Sequence, residues 1–368
     1  MDASLRVSLG RIIAQGLVPA TAAHSPLDAV ENLAALQGQQ ASAIPWAIGV
    51  RCTGVSRARV EESFARGELV RSWPMRGTVH VTSARDHHWL RRLLRHRRAA
   101  WERQALSLGL DDALVERAAQ VACDLLETSP LGVSRVQLVE AWDSNGIDTV
   151  TASSAQEGLR RRHLIMRLHL DGVLTAGPVR AGEHLIVDAR SLPAAPGVAK
   201  GEPGHEEALA VLAARYAWGH GPIDEADLAR WTGLTLTEAR RALAGARVVG
   251  ESVGLPLAEC GGGLARADLA DLVEDYRVEA EIMRALPSFD ELHVGYRDRS
   301  CLTDEAGEAL ICPAKNGMFR PIVVEGGRVV AVRAPGREIV MVKGYESRHQ
   351  LAVRAFGDWV KWLSETQQ

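Results

Sequence analysis

Between residues 205 and 253 the chain carries a run of signals that few folds satisfy together. Residues 206–218 place Leu209, Leu212, Ala213 and Tyr216 on one helical face, and Gly219, Gly221 and Pro222 stop the helix. A short second helix over 224–231 follows, then Gly233 and Leu234 as a turn. Thr235 is a favourable N-cap, and Glu238 three residues on completes a capping box for a helix reaching residue 243. Residues 248–253 then read as a strand. This order predicts a winged helix, a helix-turn-helix with a β-hairpin appended.

The pattern recurs. Helices over 114–126, 134–142 and 154–170, with strands at 173–175 and 184–187, form a second copy. A looser first copy has helices over 8–15, 26–36 and 60–65 and a strand at 78–81. Pro193, Pro196 and Pro203 with Gly197, Gly201 and Gly204 disfavour regular structure and mark a linker. Beyond it, a helix runs over 268–286 to Pro287, residues 319–324 and 328–332 flank the hairpin signal Glu325, Gly326, Gly327, and an amphipathic helix spans 347–363. The expected fold is α+β and mainly helical. Three tandem winged helix-turn-helix units occupy 1–105, 106–192 and 205–266, with the linker at 193–204 and a strand-rich α/β region with hairpins at 267–368.

Winged helices are usually DNA readers, yet the net charge is −3. Phosphate binding depends on local potential and not on the total. Arginine and histidine far outnumber acids between residues 85 and 103, where Arg91, Arg95, Arg97 and Arg98 fall, and Arg160, Arg161 and Arg162 stand in a row. These clusters are read as phosphate contacts, with a solvated helix face as the alternative. The longest apolar stretches fall short of the ~18 residues of a membrane span, and Met1 to Arg6 lack the basic-then-apolar order of a signal peptide. The five cysteines are scattered with no CxxC pair. A cytoplasmic protein without metal, cofactor or membrane association is expected, and no protein partner is implied.

Ser25 as N-cap and Pro26 at the first helical position open a helix whose apolar face includes Val30, Leu33 and Ala34. Continuing that face lands on Gln37, and a buried glutamine must find partners or cost roughly 1–3 kcal/mol. In a helix Gln37 and Gln39 would point about 200° apart, whereas in an extended or turning segment they share a side. Two converging amides can hold a water molecule or grip a base edge. Spacing alone favours two caps at a helix end.

At this point the sequence resembles the winged-helix DNA glycosylase family typified by AlkZ, over nearly its whole length. The resemblance rests on Leu36, Gln37, Gly38, Gln39, which matches the family's Gln-x-Gln motif. It rests also on Met75, Arg76, Gly77, Thr78, Val79, His80 with Asp86, and on Gly221, Pro222 followed by Leu228, Ala229, Arg230, Trp231, Thr232, Gly233, Leu234. Further matches are Leu286, Pro287, Ser288, Phe289, Asp290, Glu291, then Gly295, Tyr296, Arg297, Asp298, Arg299, and Lys315, Asn316, Gly317 with Phe319, Arg320, Pro321. Gln39, where another branch has Asp, groups the chain with the crosslink-unhooking members of the family. The resemblance implies Gln37 and Gln39 as catalytic residues. It implies release of N7-alkylated purines from double-stranded DNA, interstrand crosslinks included, as self-resistance to an alkylating metabolite such as azinomycin. Arg76, His80, Arg91, Arg95, Arg160, Arg161, Arg162, Lys315 and Asn316 are the expected DNA contacts.

The chemistry is consistent with that. An N7-alkylated purine is cationic, so its glycosidic bond needs little acid assistance, and the remaining tasks are orienting water and stabilising an oxocarbenium-like state. An amide cannot serve as a base but can position water through its carbonyl oxygen. His80, His87 and His88 are read as surface residues near phosphate, Asp290, Glu291, Asp298 and Arg299 as a structural ion-pair network, and Lys315, Asn316, Gly317 as a turn or a probing loop. The competing reading of the whole chain is a winged-helix transcription regulator without catalytic activity.

Overall fold

The computed structural model describes residues 1–95, 99–147, 154–193 and 198–365. The chain is mixed helix and strand, dominated by helix. It divides into two compact units, Met1–Val60 with Glu206–Gln368, and Glu61–His205. That partition is coarser than the five-part division expected from sequence, and it joins the first sixty residues to the C-terminal part of the chain. Among the described residues no helix is long and apolar enough to cross a membrane.

In the unit of residues 61–205, helices Asp112–Glu127, Arg135–Ser144 and Ser154–Asp171 precede an antiparallel hairpin, Leu174–Arg180 with Glu183–Asp188. Ser134 and Gln137 form a reciprocal capping box at the second helix. Ala118, Ala122, Leu138, Leu164 and Leu168 pack around Trp142, whose indole N–H donates to the Ala118 carbonyl at 2.9 Å. Leu69–Met75 pairs with Thr78–Ser83 on one side and with Leu174–Arg180 on the other. Arg76 and Gly77 at the tip have φ of 54° and 69°, the left-handed pair that a two-residue hairpin turn requires.

The other unit begins with Ala3–Ala14, whose Leu9, Ile12 and Ile13 are fully buried beside Ala265, Leu269 and Val324. Helices His205–His220, Glu225–Thr232 and Leu236–Ser252 follow, with Gly233 left-handed between the last two and the Thr235–Glu238 capping box in place. Residues 248–253 are not a strand, because the helix runs on through Ser252. Ala239, Ala242 and Ala246 continue its buried stripe, which outweighs the weak helix penalty of Val248, 78 % exposed on the outer side. The hairpin comes later, as Leu257–Cys260 with Gly263–Arg266.

The helix expected over 268–286 is also broken. Leu269–Asp275 and Arg277–Glu281 are helical, but Arg284–Leu286 is a strand, its backbone engaged by Ile322–Glu325. That pairing spans too much sequence for local periodicity to show it. Ile339–Met341, Arg328–Arg333, Ile322–Glu325 and Arg284–Leu286 lie in that spatial order, all antiparallel. Ile322 and Val324 face the first helix's cluster, while the alternate Val323 faces Phe356 and Trp359 of helix His349–Ser364.

Gly219 makes a close approach that no other residue permits. A methyl group there would run into the carbonyl oxygen of Asn32, the last residue of helix Pro26–Asn32. Gly219→Ala is expected to destabilise the fold by about 1–3 kcal/mol, since backbone must move on both sides. Gly357→Ala, in helix His349–Ser364 with nothing within 4 Å of the added carbon, should instead stabilise by up to ~1 kcal/mol. Denaturant titration of the two variants checks the pair of signs.

Candidate active site

The helix opened by Ser25, whose hydroxyl accepts the Asp28 N–H at 3.1 Å, stops at Asn32 and not at residue 36. Ala34 turns into the left-handed region at φ 60°, and Leu36–Gln37 is extended. Ala34, Ala35 and Leu36 are all buried there, so packing on the core fixes a conformation that their helix propensity opposes. Gln37 therefore does not continue a helical face. Gln37 and Gln39 are both half-buried in an extended, bending segment, with buried Gly38 between them.

A buried carboxylate holds this segment. Glu291, wholly enclosed, accepts the Gln37 backbone N–H at 2.7 Å through Oε1. Its Oε2 accepts the Trp231 indole N–H at 3.3 Å and lies 3.4 Å from His220 Nε2. The His220 ring stacks on Tyr216 at 4.4 Å, and Tyr296 donates its hydroxyl to the His220 carbonyl at 2.8 Å. The Glu291 contacts seen here are to donors, not an ion pair with Arg299, which instead meets Glu308 at 3.0 Å. Glu291 thus acts on the backbone that carries Gln37.

Glu291 is itself positioned by a strained turn. Phe289 has φ 61°, a genuine outlier for a bulky residue, and such strain persists only where the surroundings over-determine it. Asp290 supplies that restraint. Its carboxylate caps the following helix by accepting the Leu292 N–H at 2.9 Å and takes two bonds from Arg51 at 2.8 Å. Arg51 also donates to Gln15 Oε1 and to the Ala47 carbonyl. From sequence, Glu291 has a structural role among neighbouring charges, with no signal that it holds the Gln37 backbone, 254 residues away.

The expected DNA contacts fare unevenly. His80 and His87 are fully buried, which corrects their reading as surface residues. His80 Nδ1–H donates to the Thr78 carbonyl at 3.0 Å, leaving Nε2 to accept from Arg76 at 3.0 Å. His88 is half-buried, donating from Nε2 to the Ala189 carbonyl at 2.7 Å. Arg91 bonds the Leu170 carbonyl at 2.8 Å and closes the end of helix Ser154–Asp171. Arg95 pairs with Asp171 at 3.3 Å, and Arg161 with Glu157 at 2.5 Å and Asp143 at 3.3 Å. Much of the basic row is therefore engaged by carboxylates, while Arg162 is exposed and Arg160 half-buried. Lys315, at φ 48°, and Asn316 lie on an exposed loop, where Asn316 Oδ1 accepts the Met318 N–H at 3.1 Å. Arg97 and Arg98 lie outside the described residues, as do Pro196 and Gly197 of the linker.

A family profile described as DNA glycosylase AlkZ-like matches residues 30–360. Among solved structures, the Streptomyces sahachiroi DNA glycosylase AlkZ shares the fold with a TM-score of 0.64, covering 97% of this chain and 98% of that one. Its sequence identity is 20%, a distant likeness that bears on fold. No curated protein matches.

Several histidines are held neutral by burial. Burial, reinforced by Arg71, pushes His169 down from 6.5 to about 3, and burial brings His184 to about 4. Burial and the neighbouring His88 hold His87 well below its ordinary value. Between about pH 6.5 and 4 the unfolded chain binds protons that these folded rings refuse. Stability should therefore be complete above pH 6.5 and fall as pH drops, by up to about 1.4 kcal/mol per pH unit for each ring. Denaturant midpoints measured from pH 7.5 to 4.5 check this, and His184→Gln should flatten the fall.

Proposed function

The chain belongs to the AlkZ-like DNA glycosylase family, and on that footing we propose that it hydrolyses the N-glycosidic bond of N7-alkylated purines in double-stranded DNA, interstrand crosslinks included. The observation that carries the reading is the bond from Gln37 N–H to buried Glu291, which fixes the Gln-x-Gln segment in extended form. Side chains two apart along extended chain share a side, so the amides of Gln37 and Gln39 meet over one point. One carbonyl oxygen accepts from the attacking water and aims it at the anomeric carbon. The partial negative charge of both stabilises the oxocarbenium-like state. The breaking glycosidic bond leaves its electron pair on the purine and neutralises the cation, so the base needs no proton. The water bonds to the anomeric carbon and loses its proton to solvent. Glu291 is a positioning residue here, acting through the Gln37 backbone.

Three segments, 1–105, 106–192 and 205–266, serve as tandem winged-helix units, with the linker at 193–204 and the C-terminal α/β region at 267–368 beyond them. Arg162, Arg160 and Arg76, with Lys315 and Asn316 on their exposed loop, contact the duplex. A crosslinked base is tethered to the opposite strand and cannot swing into a closed pocket, so the site works as an open cleft, unlike that of base-flipping enzymes. Such an enzyme acts in the cytoplasm of an organism that resists its own DNA-alkylating metabolite. The family match, spanning most of the chain, favours this over a non-catalytic regulator.

Gln37→Ala and Gln39→Ala should each slow single-turnover release of 7-methylguanine about 10²-fold, equivalent to ~2.7 kcal/mol of transition-state stabilisation. Affinity for undamaged duplex should hardly change. Normal excision by folded variants would make the glutamines structural. All four lysines, Lys200, Lys315, Lys343 and Lys361, are exposed, away from the desolvated setting in which an amine becomes a nucleophile. Borohydride should accordingly trap no protein–DNA adduct, as a monofunctional glycosylase requires.

A further inference from the structure

Beyond Gln39 the chain leads into a cleft of about 670 Å³. Gln40 and Ser42 line it, as do Arg320, Arg333, Arg337 and Trp359, and no Asp or Glu is among its lining residues. Some arginines elsewhere are matched to acids, as Arg95, Arg161 and Arg167 are. Among the described residues Arg320, Arg333 and Arg337 have no carboxylate partner. Arg320 donates to the Leu310 carbonyl at 3.2 Å. Arg333 lies over the rings of Phe356 and Trp359 at 5.6 and 5.7 Å, contacts that orient a guanidinium without using its N–H donors.

Two further observations point to an anion. Burial, and then the like charge of Arg337, lower the hold of Arg333 on its proton, so the two cations oppose each other with no counter-charge built in. Arg337 also sits on a turn with φ 69°, next to Gly336 at φ 77°, closed by a bond from Ala334 N–H to the Glu338 carbonyl at 2.8 Å. A non-glycine residue held left-handed at the rim of a cleft is the sort of strain that functional sites retain.

We propose that this cleft binds the phosphodiester backbone of a DNA strand, Arg333 and Arg337 each neutralising one phosphate, with Gln40 and Ser42 bordering the catalytic segment. The assignment rests on the glycosylase reading. DNA is the fitting occupant because a row of phosphates supplies the repeated charge that adjacent unpaired arginines lack, and because the cleft is continuous in sequence with Gln37 and Gln39. The strand gripped here is thereby led past the two amides.

The test is the salt dependence of binding to undamaged duplex by the full chain, read alongside 7-methylguanine release. Each phosphate contact contributes about 0.9 to the slope of log affinity against log salt, so Arg333→Ala/Arg337→Ala should flatten it by about 1.8. Arg333→Lys/Arg337→Lys keeps the charges and should keep the parent slope. If the double alanine variant fails to fold, exposed Arg337→Ala alone should still flatten the slope by about 0.9. An unchanged slope in the alanine variants overturns the cleft assignment, whatever the parent does to methylated DNA. A flattened slope with no base release by the parent would leave the phosphate site standing and remove the glycosylase reading. A parent with no affinity for duplex overturns both.

Discussion

Arg51 and Asp290 lie 239 residues apart, and two guanidinium nitrogens meet both carboxylate oxygens at 2.8 Å with almost no exposure on either side. Two charges taken so far out of water are tolerable only when the geometry is bidentate and the remaining donors are matched, because removing one partner strands the other at a cost of about 3–5 kcal/mol. Here the remaining donors are largely matched. Gln15 at the end of the first helix and the Ala47 carbonyl take Arg51's other bonds, and the Leu292 N–H takes Asp290's. The first sixty residues and the turn before Glu291 are in this way fixed to one another. The strained Phe289 backbone, the direction of the Glu291 carboxylate and the extended form of residues 36–37 all follow from that anchor.

A site built this way separates the charged groups from the amides proposed to act. The acid is enclosed and shapes backbone, while the groups left half-exposed are neutral amides. That arrangement suits a substrate carrying its own positive charge, since the leaving group needs no proton. It suits neutral bases poorly, because nothing in the segment from Gln37 to Gln39 can donate one strongly. The same economy appears at Arg11, which bonds Asp227 at 3.0 Å while Asp227 accepts the Arg297 N–H at 2.6 Å. Charges inside this unit serve to lock segments distant in sequence.

Local features were largely legible in the sequence. The Thr235–Glu238 capping box, the left-handed Gly233 and the Glu325–Gly327 hairpin lie where short-range rules predict them. Features decided by distant partners were not. Gln37 leaves the helix because buried packing and Glu291 outbid propensity, and Arg284–Leu286 is a strand because Ile322–Glu325 completes it. Composition misled in the histidines and arginines. Charge-bearing residues read in a row suggest a surface, yet His80 and His87 are enclosed and Arg91 closes a helix end, whereas Arg333 and Arg337, isolated in sequence, converge on one cleft. The glutamines were singled out through a family motif, since spacing alone favoured caps.

Gln37 and the carboxylate that holds it are 254 residues apart, with the whole unit of residues 61–205 lying between them in the chain. During synthesis at about 5–20 residues per second, the segment bearing both amides leaves the ribosome roughly 13–50 s before Glu291 exists. The intervening unit has its own core and can fold meanwhile, but the first sixty residues must wait with Leu9, Ile12 and Ile13 uncovered. Translation order therefore leaves the Gln37–Glu291 contact unformed until late, and makes the opening helix the stretch most in need of chaperone cover.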